Sequence, residues 1–327
     1  MTKFVRSAAA SLIALSVALT GASAQAATLR LGHVFEATHP FNVAAQEAAA
    51  QFETCTGGAH RFEIYPASQL GSDAQLQEQI MIGGVDATLA GFIFAANAYP
   101  PLALAAAPFV FRDRDHAMAY MQSDLFKEAW AGWEEATGQH ILSSGFFGFF
   151  NVTSNRPLET PEDMAGLKVR VPNMPIYMAF PNAVGAAPTP IALHEVYLAL
   201  QQGVAEGSVN GLSMTYANRF YEVQDYVNLT GHMVDFTLFI VSDMAMQQLD
   251  EAGQQCLTEA AEFWGERGSQ LLFELEEGLR AELEAQGALT FNDVDRAAFE
   301  AASKDAQAAF AEMQGATPEA LQAILDL

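Results

Sequence analysis

Arg170 is the residue of this chain best suited to hold a small carboxylate. It lies in segment 167–171, where three apolar residues alternate with Lys168 and Arg170. Because successive side chains of a β-strand point to opposite faces, this alternation predicts a strand with both cations on one face. A guanidinium meets both oxygens of a carboxylate through a planar fork, which an ammonium group cannot do. The segment therefore predicts ligand binding by Arg170, whereas Lys168 is expected to be solvated.

A short capped turn before this strand is expected to fix where it starts. Thr160 suits the capping position and Pro161 suits the first helical position. The acids at 162–163 place negative charge at the positive start of a helix. Gly166 then ends the turn, and Pro172 ends the strand. The arginine is thus expected on a rigid element with defined ends.

The first 26 residues have the pattern of a cleavable secretory signal. Lys3 and Arg6 precede a short apolar run over 8–19, and Ala24-Gln-Ala is a small-x-small cleavage site. Removing them leaves 13 Lys and Arg (15 − 2) against 39 Asp and Glu, a net charge of −26 with histidine neutral. We therefore expect an acidic, monomeric periplasmic protein that binds neither nucleic acid nor anionic lipid.

Strands and helices alternate in the first part of the expected mature chain, which indicates a mostly parallel α/β sheet. About 300 residues exceed what one core usually holds, so two domains are expected. Apolar residues at helical spacing predict one long helix, followed by an amphipathic helical tail. The predicted strands cover 29–34, 61–65 and 85–90, the helices between them cover 41–53 and 75–82, and the long helix covers 251–286.

Two stretches of the chain echo each other and could line a cleft. Segments 79–91 and 199–211 each contain a helix end, a glycine stop, an acidic residue and a short strand. Two such units facing one another would bind a ligand at the carboxyl ends of their strands. Coincidence is the alternative, because helix–glycine–strand junctions are common.

Sequence motifs of catalysis and of metal binding are missing. The seven histidines have no paired spacing, and neither a phosphate loop nor a nucleophile elbow occurs. An exported hydrolase using Glu162 and Asp163 is the remaining enzyme alternative, although these acids are typical of a helix start. Cys55 and Cys256 form no redox or metal motif, and the sequence leaves open whether they form a disulfide. We expect no enzyme, no cofactor and no metal.

Several segments, taken in order, resemble the substrate-binding proteins of tripartite ATP-independent periplasmic (TRAP) transporters, the DctP type. The resemblance implies a two-domain periplasmic binding protein of the type II-like α/β class, with a hinge and a long helix spanning both lobes. It also implies delivery of an organic acid to TRAP membrane subunits. The segments are 31–34, 39–40, 66–71, 160–172, 188–190, 195–203, 220–224 and 229–230.

The resemblance also implies lobe boundaries. Lobe I is expected to comprise residues 27–149 plus about 236–275. Lobe II is expected to comprise residues 150–235 plus about 276–327.

Site residues follow partly from the resemblance. Arg170 matches the family arginine that holds the ligand carboxylate, and Asn173 and Asn210 lie where the family places polar ligand contacts. Leu193 occupies a position where a ligand-facing phenylalanine is common. Phe150 stands where a second arginine is usual.

The phenylalanines near this position supply the aromatic candidates. Residues 146–150 read Phe-Phe-Gly-Phe-Phe, and strict alternation along a strand puts Phe146 and Phe150 on one face and Phe147 and Phe149 on the other. At least one ring is then expected to face the cleft. Phe150 and Phe92 are the candidates for ligand contact.

With one strong cation and several rings, the expected cleft favours a monocarboxylate with an apolar or aromatic body. A second carboxylate against Phe150 would lose its water without gaining a charged partner. The alternatives are a C4-dicarboxylate or a 2-oxo acid for the same transporter class, or a ligand-sensing partner of a receptor.

The signal predicts a measurable mature N-terminus. Expressed in a Gram-negative host, the protein should appear in osmotic-shock fluid beginning at Ala27, because cleavage follows small residues at the −3 and −1 positions. Intact mass spectrometry of that fluid measures this directly. A periplasmic product that retains the first 26 residues would contradict the prediction.

Overall fold

The computed structural model describes residues 26–313 and 315–327 as one large mixed sheet with helices on its faces. The expected signal peptide lies, apart from its last residue, outside these residues. Within the described part of the chain, the strands are β1 Ala27–His33, β2 His60–Tyr65, β3 Ala87–Gly91, β4 His140–Ser154, β5 Lys168–Val171, β6 Ala187–Pro190, β7 Gly207–Gly211, β8 Tyr226–Val241 and β9 Thr290–Asn292.

The α-helices fill most connections between these strands. There are also 3-10 segments, among them Pro161–Met164 between β4 and β5 and Pro175–Met178 just before the helix Ala179–Ala183. The α-helices are α1 Pro40–Cys55, α2 Asp73–Met81, α3 Phe92–Ala95, α4 Arg114–Gln122, α5 Asp124–Thr137, α6 Ala179–Ala183, α7 Val196–Gln201, α8 Leu212–Ala217, α9 Asp243–Met246, α10 Glu251–Ala285, α11 Arg296–Met313 and α12 Pro318–Leu325.

Two parallel units of the sheet are joined by two long antiparallel strands. The strand order is β2-β1-β3-β8-β4-β7-β5-β6, and β9 pairs with β8. The pairs within β1–β3 and within β5–β7 are parallel. Between the two units, β4 and β8 run antiparallel along most of their lengths. The prediction of a parallel sheet is confirmed within each unit, whereas the central antiparallel pairing was not predicted.

The long helix predicted from the apolar spacing is confirmed as α10. Asp250 caps it by accepting a hydrogen bond from the Gly253 amide at 2.8 Å. Leu257 and Trp264 belong to the main hydrophobic core, and the Trp264 indole donates to the Phe41 carbonyl oxygen at 3.1 Å. Further along, α10 enters a second apolar cluster through Leu279 and Leu283. One helix therefore packs into two separate clusters.

The turn before β5 fixes the start of the strand, as predicted, although it is one 3-10 turn and not an α-helix. The Asp163 carboxylate accepts hydrogen bonds from the amides of Glu159 and Thr160, both at 2.9 Å. These bonds hold the pKa of Asp163 below its usual value, because they favour the ionised form. Asp163 is therefore a capping residue of this turn. This role argues against the alternative in which Asp163 acts as a catalytic acid of a hydrolase.

Cys55 and Cys256 are joined by a disulfide, with their Cα atoms 5.8 Å apart. The bond ties the end of α1 to α10 across 201 residues of sequence. Among the described residues, none of the helices is both long and apolar enough to span a bilayer.

Removing the disulfide should destabilise the fold. Replacing both cysteines by serine should lower the free energy of unfolding by about 2–5 kcal/mol, because a cross-link over a long loop restricts the unfolded chain. Urea unfolding of wild type and variant measures the difference. Reductant should lower the wild-type midpoint and leave the variant unchanged, and equal midpoints throughout would contradict the prediction.

Candidate ligand-binding site

A cavity lies where the carboxyl ends of β1, β3, β5 and β7 meet the long strands β4 and β8. It holds about 460 Å³ of empty space, including its opening to solvent. Ligands bind at this end of strands in α/β sheets, because the connecting loops diverge there. Its polar side chains are Asp73, Arg170, Tyr177, Asn210, Asp235 and Thr237, and its apolar wall includes Val34, Phe35, Phe94, Phe147, Phe150 and Leu193.

The two echoed segments occupy matching places around this cavity. Segment 79–91 ends in β3 and segment 199–211 ends in β7. Gly91 and Asn210, at or next to the last residue of each strand, both line the cavity. Both segments thus end at the same cavity, as the prediction of two units facing each other across a cleft requires.

Arg170 is the buried cation of the site, with 2% of its surface exposed. Its Nε donates to the Ile191 carbonyl oxygen at 2.9 Å, and its Nη1 lies 3.3 Å from Asn210 Oδ1 and 3.5 Å from the Val209 oxygen. Nη2 donates to none of the residues that the structure describes. Burial lowers the pKa of the guanidinium to about 10, so it remains charged at neutral pH. The fold holds this charge in place with neutral oxygens and leaves it available to an anion.

Asn210 positions the arginine as well as lining the cavity. Its Nδ2 donates to Ser208 Oγ at 2.8 Å, which turns Oδ1 toward Arg170. Lys168, two residues before Arg170 on the same strand, is exposed, as predicted.

The structure brings together four of the six residues expected to contact ligand: Arg170, Asn210, Phe150 and Leu193 all line the cavity. Asn173 lies beside it, in a smaller adjoining pocket that it shares with Asp73 and Arg170. Phe92 is fully buried, with its ring 5.3 Å from that of Phe236, and does not line the cavity. Phe94, two residues further along α3, does line the cavity.

The phenylalanine pattern differs from strict alternation. Phe147 and Phe150 both face the cavity, with ring centroids 5.5 Å apart, although they are three positions apart along β4. Phe146 pairs with Phe236 and Gly148 with Asp235, so Phe147 is an extra residue in β4. Such a bulge moves the following side chains to the opposite face, and Gly148 accommodates it with φ of +114°. The expectation that these two rings lie on opposite faces was therefore wrong.

Two carboxyl groups and a phenol complete the cavity, and sequence reasoning missed all three. Asp235 is 5% exposed; its Oδ1 accepts from the Phe236 amide at 2.8 Å, and its Oδ2 lies 3.4 Å from the Tyr177 hydroxyl. Burial raises the pKa of Asp235 to about 8 and that of Tyr177 well above its usual value. Burial also raises the pKa of Asp73 to about 6, although Arg170 opposes the shift.

Of these three residues, only Asp235 could have been recognised from the sequence as a candidate for the site. It is the one ionisable residue in the run 233–241, which is otherwise apolar apart from Thr237. An isolated acid within a strand is either paired or functional, because burying it costs free energy. Asp73 follows Ser72 at a helix start and looks like ordinary capping chemistry.

A buried arginine in a cavity between two parallel units is the arrangement expected of a protein that binds small anionic molecules. The chain belongs to bacterial extracellular solute-binding protein family 7, the DctP family, whose model matches residues 31–314. The fold is that of the two-lobed TRAP solute-binding proteins. Members of this family serve transporters as substrate-binding proteins and are not enzymes.

Individual relatives cover nearly the whole chain. A solute-binding protein of Roseobacter denitrificans is 33% identical over 89% of each chain. Its crystal structure, with bound L-galactonate, aligns at a TM-score of 0.85 and 31% identity, covering 92% of this chain and 98% of that one. The sialic acid-binding periplasmic protein of Vibrio cholerae is 30% identical over 86% of this chain and 89% of its own.

A third relative comes from Bordetella bronchiseptica. This TRAP periplasmic solute-binding protein, with density assigned as pantoate, aligns at a TM-score of 0.85 and 28% identity, covering 91% of this chain and 98% of that one.

The raised pKa of Asp235 predicts a pH dependence of stability. A carboxyl whose pKa rises from 3.8 to about 8 on folding contributes stability that is complete below pH 4 and is lost as the pH rises through 8. Asp235→Asn removes this titration. From pH 5 to pH 9 the variant should therefore gain on the order of 4 kcal/mol in unfolding free energy relative to wild type.

Urea unfolding of the ligand-free proteins at both pH values measures this change. Asp235 helps to raise the pKa of Tyr177, so the difference between the two proteins reports the titration of Asp235 together with its coupling to Tyr177. A constant offset between variant and wild type at pH 5 and pH 9 would contradict the prediction.

Proposed function

We propose that this protein captures a monocarboxylate with a largely apolar body and delivers it to the membrane subunits of a TRAP transporter. The single observation that carries the proposal is the buried guanidinium of Arg170 in a predominantly apolar cavity. A carboxylate on Arg170 forms charge-assisted hydrogen bonds away from water, where they are strongest.

The apolar wall supports a ligand with hydrocarbon surface. Phe147, Phe150 and Leu193 stand near the anchor, and burying ligand hydrocarbon there contributes about 25 cal/mol per Å². A second carboxylate would find no second cation among the described residues that line the cavity. It would instead meet Asp73 and Asp235. A C4-dicarboxylate is therefore the least favoured of the organic acids considered.

A polyhydroxylated sugar acid is the second candidate. The Roseobacter relative holds L-galactonate, and a protein of Polaromonas that is 27% identical holds D-erythronate. Both are monocarboxylates with several hydroxyl groups. In this chain Asp73, Tyr177, Asp235 and Thr237 could accept or donate hydrogen bonds to such groups. Pantoate, to which the density in the Bordetella relative is assigned, lies between the two candidate ligand classes in polarity.

Contacts across the cavity support a clamshell that closes on its ligand. His39, at the start of α1, accepts a hydrogen bond on Nδ1 from the Phe41 amide at 3.2 Å. Its other ring nitrogen, Nε2, lies 3.3 Å from Ser213 Oγ of α8. Phe94 of α3 lies 5.9 Å from Tyr177, ring to ring. With lobe I as residues 27–149 plus about 236–275 and lobe II as the rest, both contacts join the lobes and would break on opening.

Export fits the same function. The signal over 1–26 would place the mature protein in the periplasm, an oxidising compartment where the Cys55–Cys256 disulfide persists. A free, acidic monomer would diffuse there between ligand and transporter.

A thermal-shift screen of organic acids tests the ligand class. Branched or aromatic monocarboxylates should raise the melting temperature most, because ligand stabilises the form that binds it, by roughly 2.7 kcal/mol at 100 times the dissociation constant. Sugar acids giving the largest shift would favour the second candidate. Succinate, malate or fumarate giving the largest shift would refute the apolar monocarboxylate.

Arg170 is tested with the best ligand of that screen. Arg170→Ala should cost about 2–5 kcal/mol of binding free energy, since truncation leaves a desolvated carboxylate unpaired. Arg170→Lys should also bind poorly, and Lys168→Ala, on the exposed part of the same strand, is the matched control with unchanged affinity. Near-normal calorimetric affinity of a folded Arg170→Ala protein would contradict the anchor.

A further inference from the structure

Asp235 is a carboxyl group of the cavity wall with hydrogen-bonding capacity to spare. The carboxyl group accepts a hydrogen bond on Oδ1 from the Phe236 amide at 2.8 Å and another from the Phe92 amide, and Oδ2 lies at the long distance of 3.4 Å from the Tyr177 hydroxyl. Oδ2 also lies against the backbone of Gly91, where a Cβ atom would come within 2.7 Å of it. Asp235 forms no ion pair with the described residues.

The charged and titratable groups that face Asp235 come from three other elements. Tyr177 comes from the 3-10 turn before α6, Asp73 from α2 and Arg170 from β5. Under the proposed function the guanidinium of Arg170 is committed to the carboxylate of the ligand. The other groups around Asp235 are then the carboxyl group of Asp73 and the phenol of Tyr177. These groups favour a ligand group that donates a hydrogen bond and disfavour a negatively charged one.

We infer that Asp235, supported by Tyr177, is the specificity-determining residue of this site: it selects monocarboxylates that carry a hydroxyl group on their apolar body and rejects acids with a second carboxylate there. This inference rests on the proposed function, since it assumes that Arg170 holds the first carboxylate. It narrows the ligand class to branched hydroxy acids.

A hydroxyl group fits Asp235 better than an ammonium group does. Burial raises the pKa of Asp235 to about 8, so the carboxyl is largely neutral at pH 7 and offers an ammonium group little charge. A neutral carboxyl both donates and accepts hydrogen bonds, and so does a hydroxyl group. Sites built to bond a hydroxyl reject analogues that lack it, because their polar groups are then left unpaired.

The test uses four acids on one carbon frame and isothermal titration calorimetry at pH 7. They are 3,3-dimethylbutanoate, its 2-hydroxy and 4-hydroxy derivatives, and 3,3-dimethylmalate, which has a second carboxylate in place of one methyl group of the 2-hydroxy derivative. In wild type at least one hydroxy acid should bind about tenfold or more tightly than 3,3-dimethylbutanoate. The malate should bind at least tenfold more weakly than that hydroxy acid.

Variants assign this selectivity to Asp235. Asp235→Leu should reduce the preference for the hydroxy acid to within about twofold while 3,3-dimethylbutanoate still binds, which also shows that the variant is folded. Asp235→Asn, which imitates the neutral carboxyl, should keep both the preference for the hydroxy acid and the weak binding of the malate within about threefold of wild type. Asp225→Asn, an exposed acid just before β8, is the matched control and should change nothing.

The outcomes separate this inference from the proposed function. One outcome is that wild type binds 3,3-dimethylbutanoate and both hydroxy acids with equal affinity, while Arg170→Ala binds none of them. That result would overturn the role of Asp235 and leave Arg170 as the anchor. An unchanged preference in Asp235→Leu would overturn it as well. Failure of all four acids to bind wild type would contradict the apolar monocarboxylate class itself, and with it the inference.

Discussion

Everything in this site depends on keeping the Arg170 guanidinium charged away from water. A buried cation with no partner is costly, so the surrounding fold must offer it oxygens. Here they are carbonyl oxygens and the Asn210 amide, all neutral. Because the charge is held without being neutralised by an ion pair, an incoming carboxylate still gains most of the available electrostatic energy. The same burial raises the pKa of both nearby acids, that of Asp73 to about 6 and that of Asp235 to about 8, so Asp235 is largely neutral at pH 7.

The sheet architecture explains how one cavity gathers residues from distant parts of the sequence. Four strands of two parallel units end at the same place, and β4 and β8 run through both units. The bulge at Phe147 then changes which rings of β4 face the ligand. The opposite walls of the cavity therefore belong to different parallel units, and a ligand between the walls would contact both units. Under the proposed function, a ligand that contacts both units would favour the closed form.

The sequence was most informative where local pattern and function coincide. The strand bearing Arg170 and the helix 251–286 were predictable, because alternation and helical spacing are local properties of the chain. The bulge was not predictable, since it is defined by the pairing of β4 with β8, about ninety residues away. Phe94 lines the cavity and Phe92 does not, although Phe92 was expected to. The strand ends at Gly91 and a helix begins, and side chains two residues apart in a helix point to nearly opposite sides. Asp73 was hidden by its resemblance to a capping residue.

The most direct measurement of the central claim is a crystal structure with the tightest-binding organic acid of the screen. The ligand carboxylate should accept two hydrogen bonds from the Arg170 guanidinium, at about 2.7–2.9 Å, with its carbon body against Phe147 and Phe150. A ligand whose carboxylate lies elsewhere in the cavity, with Arg170 still bonded only to protein oxygens, would contradict the claim.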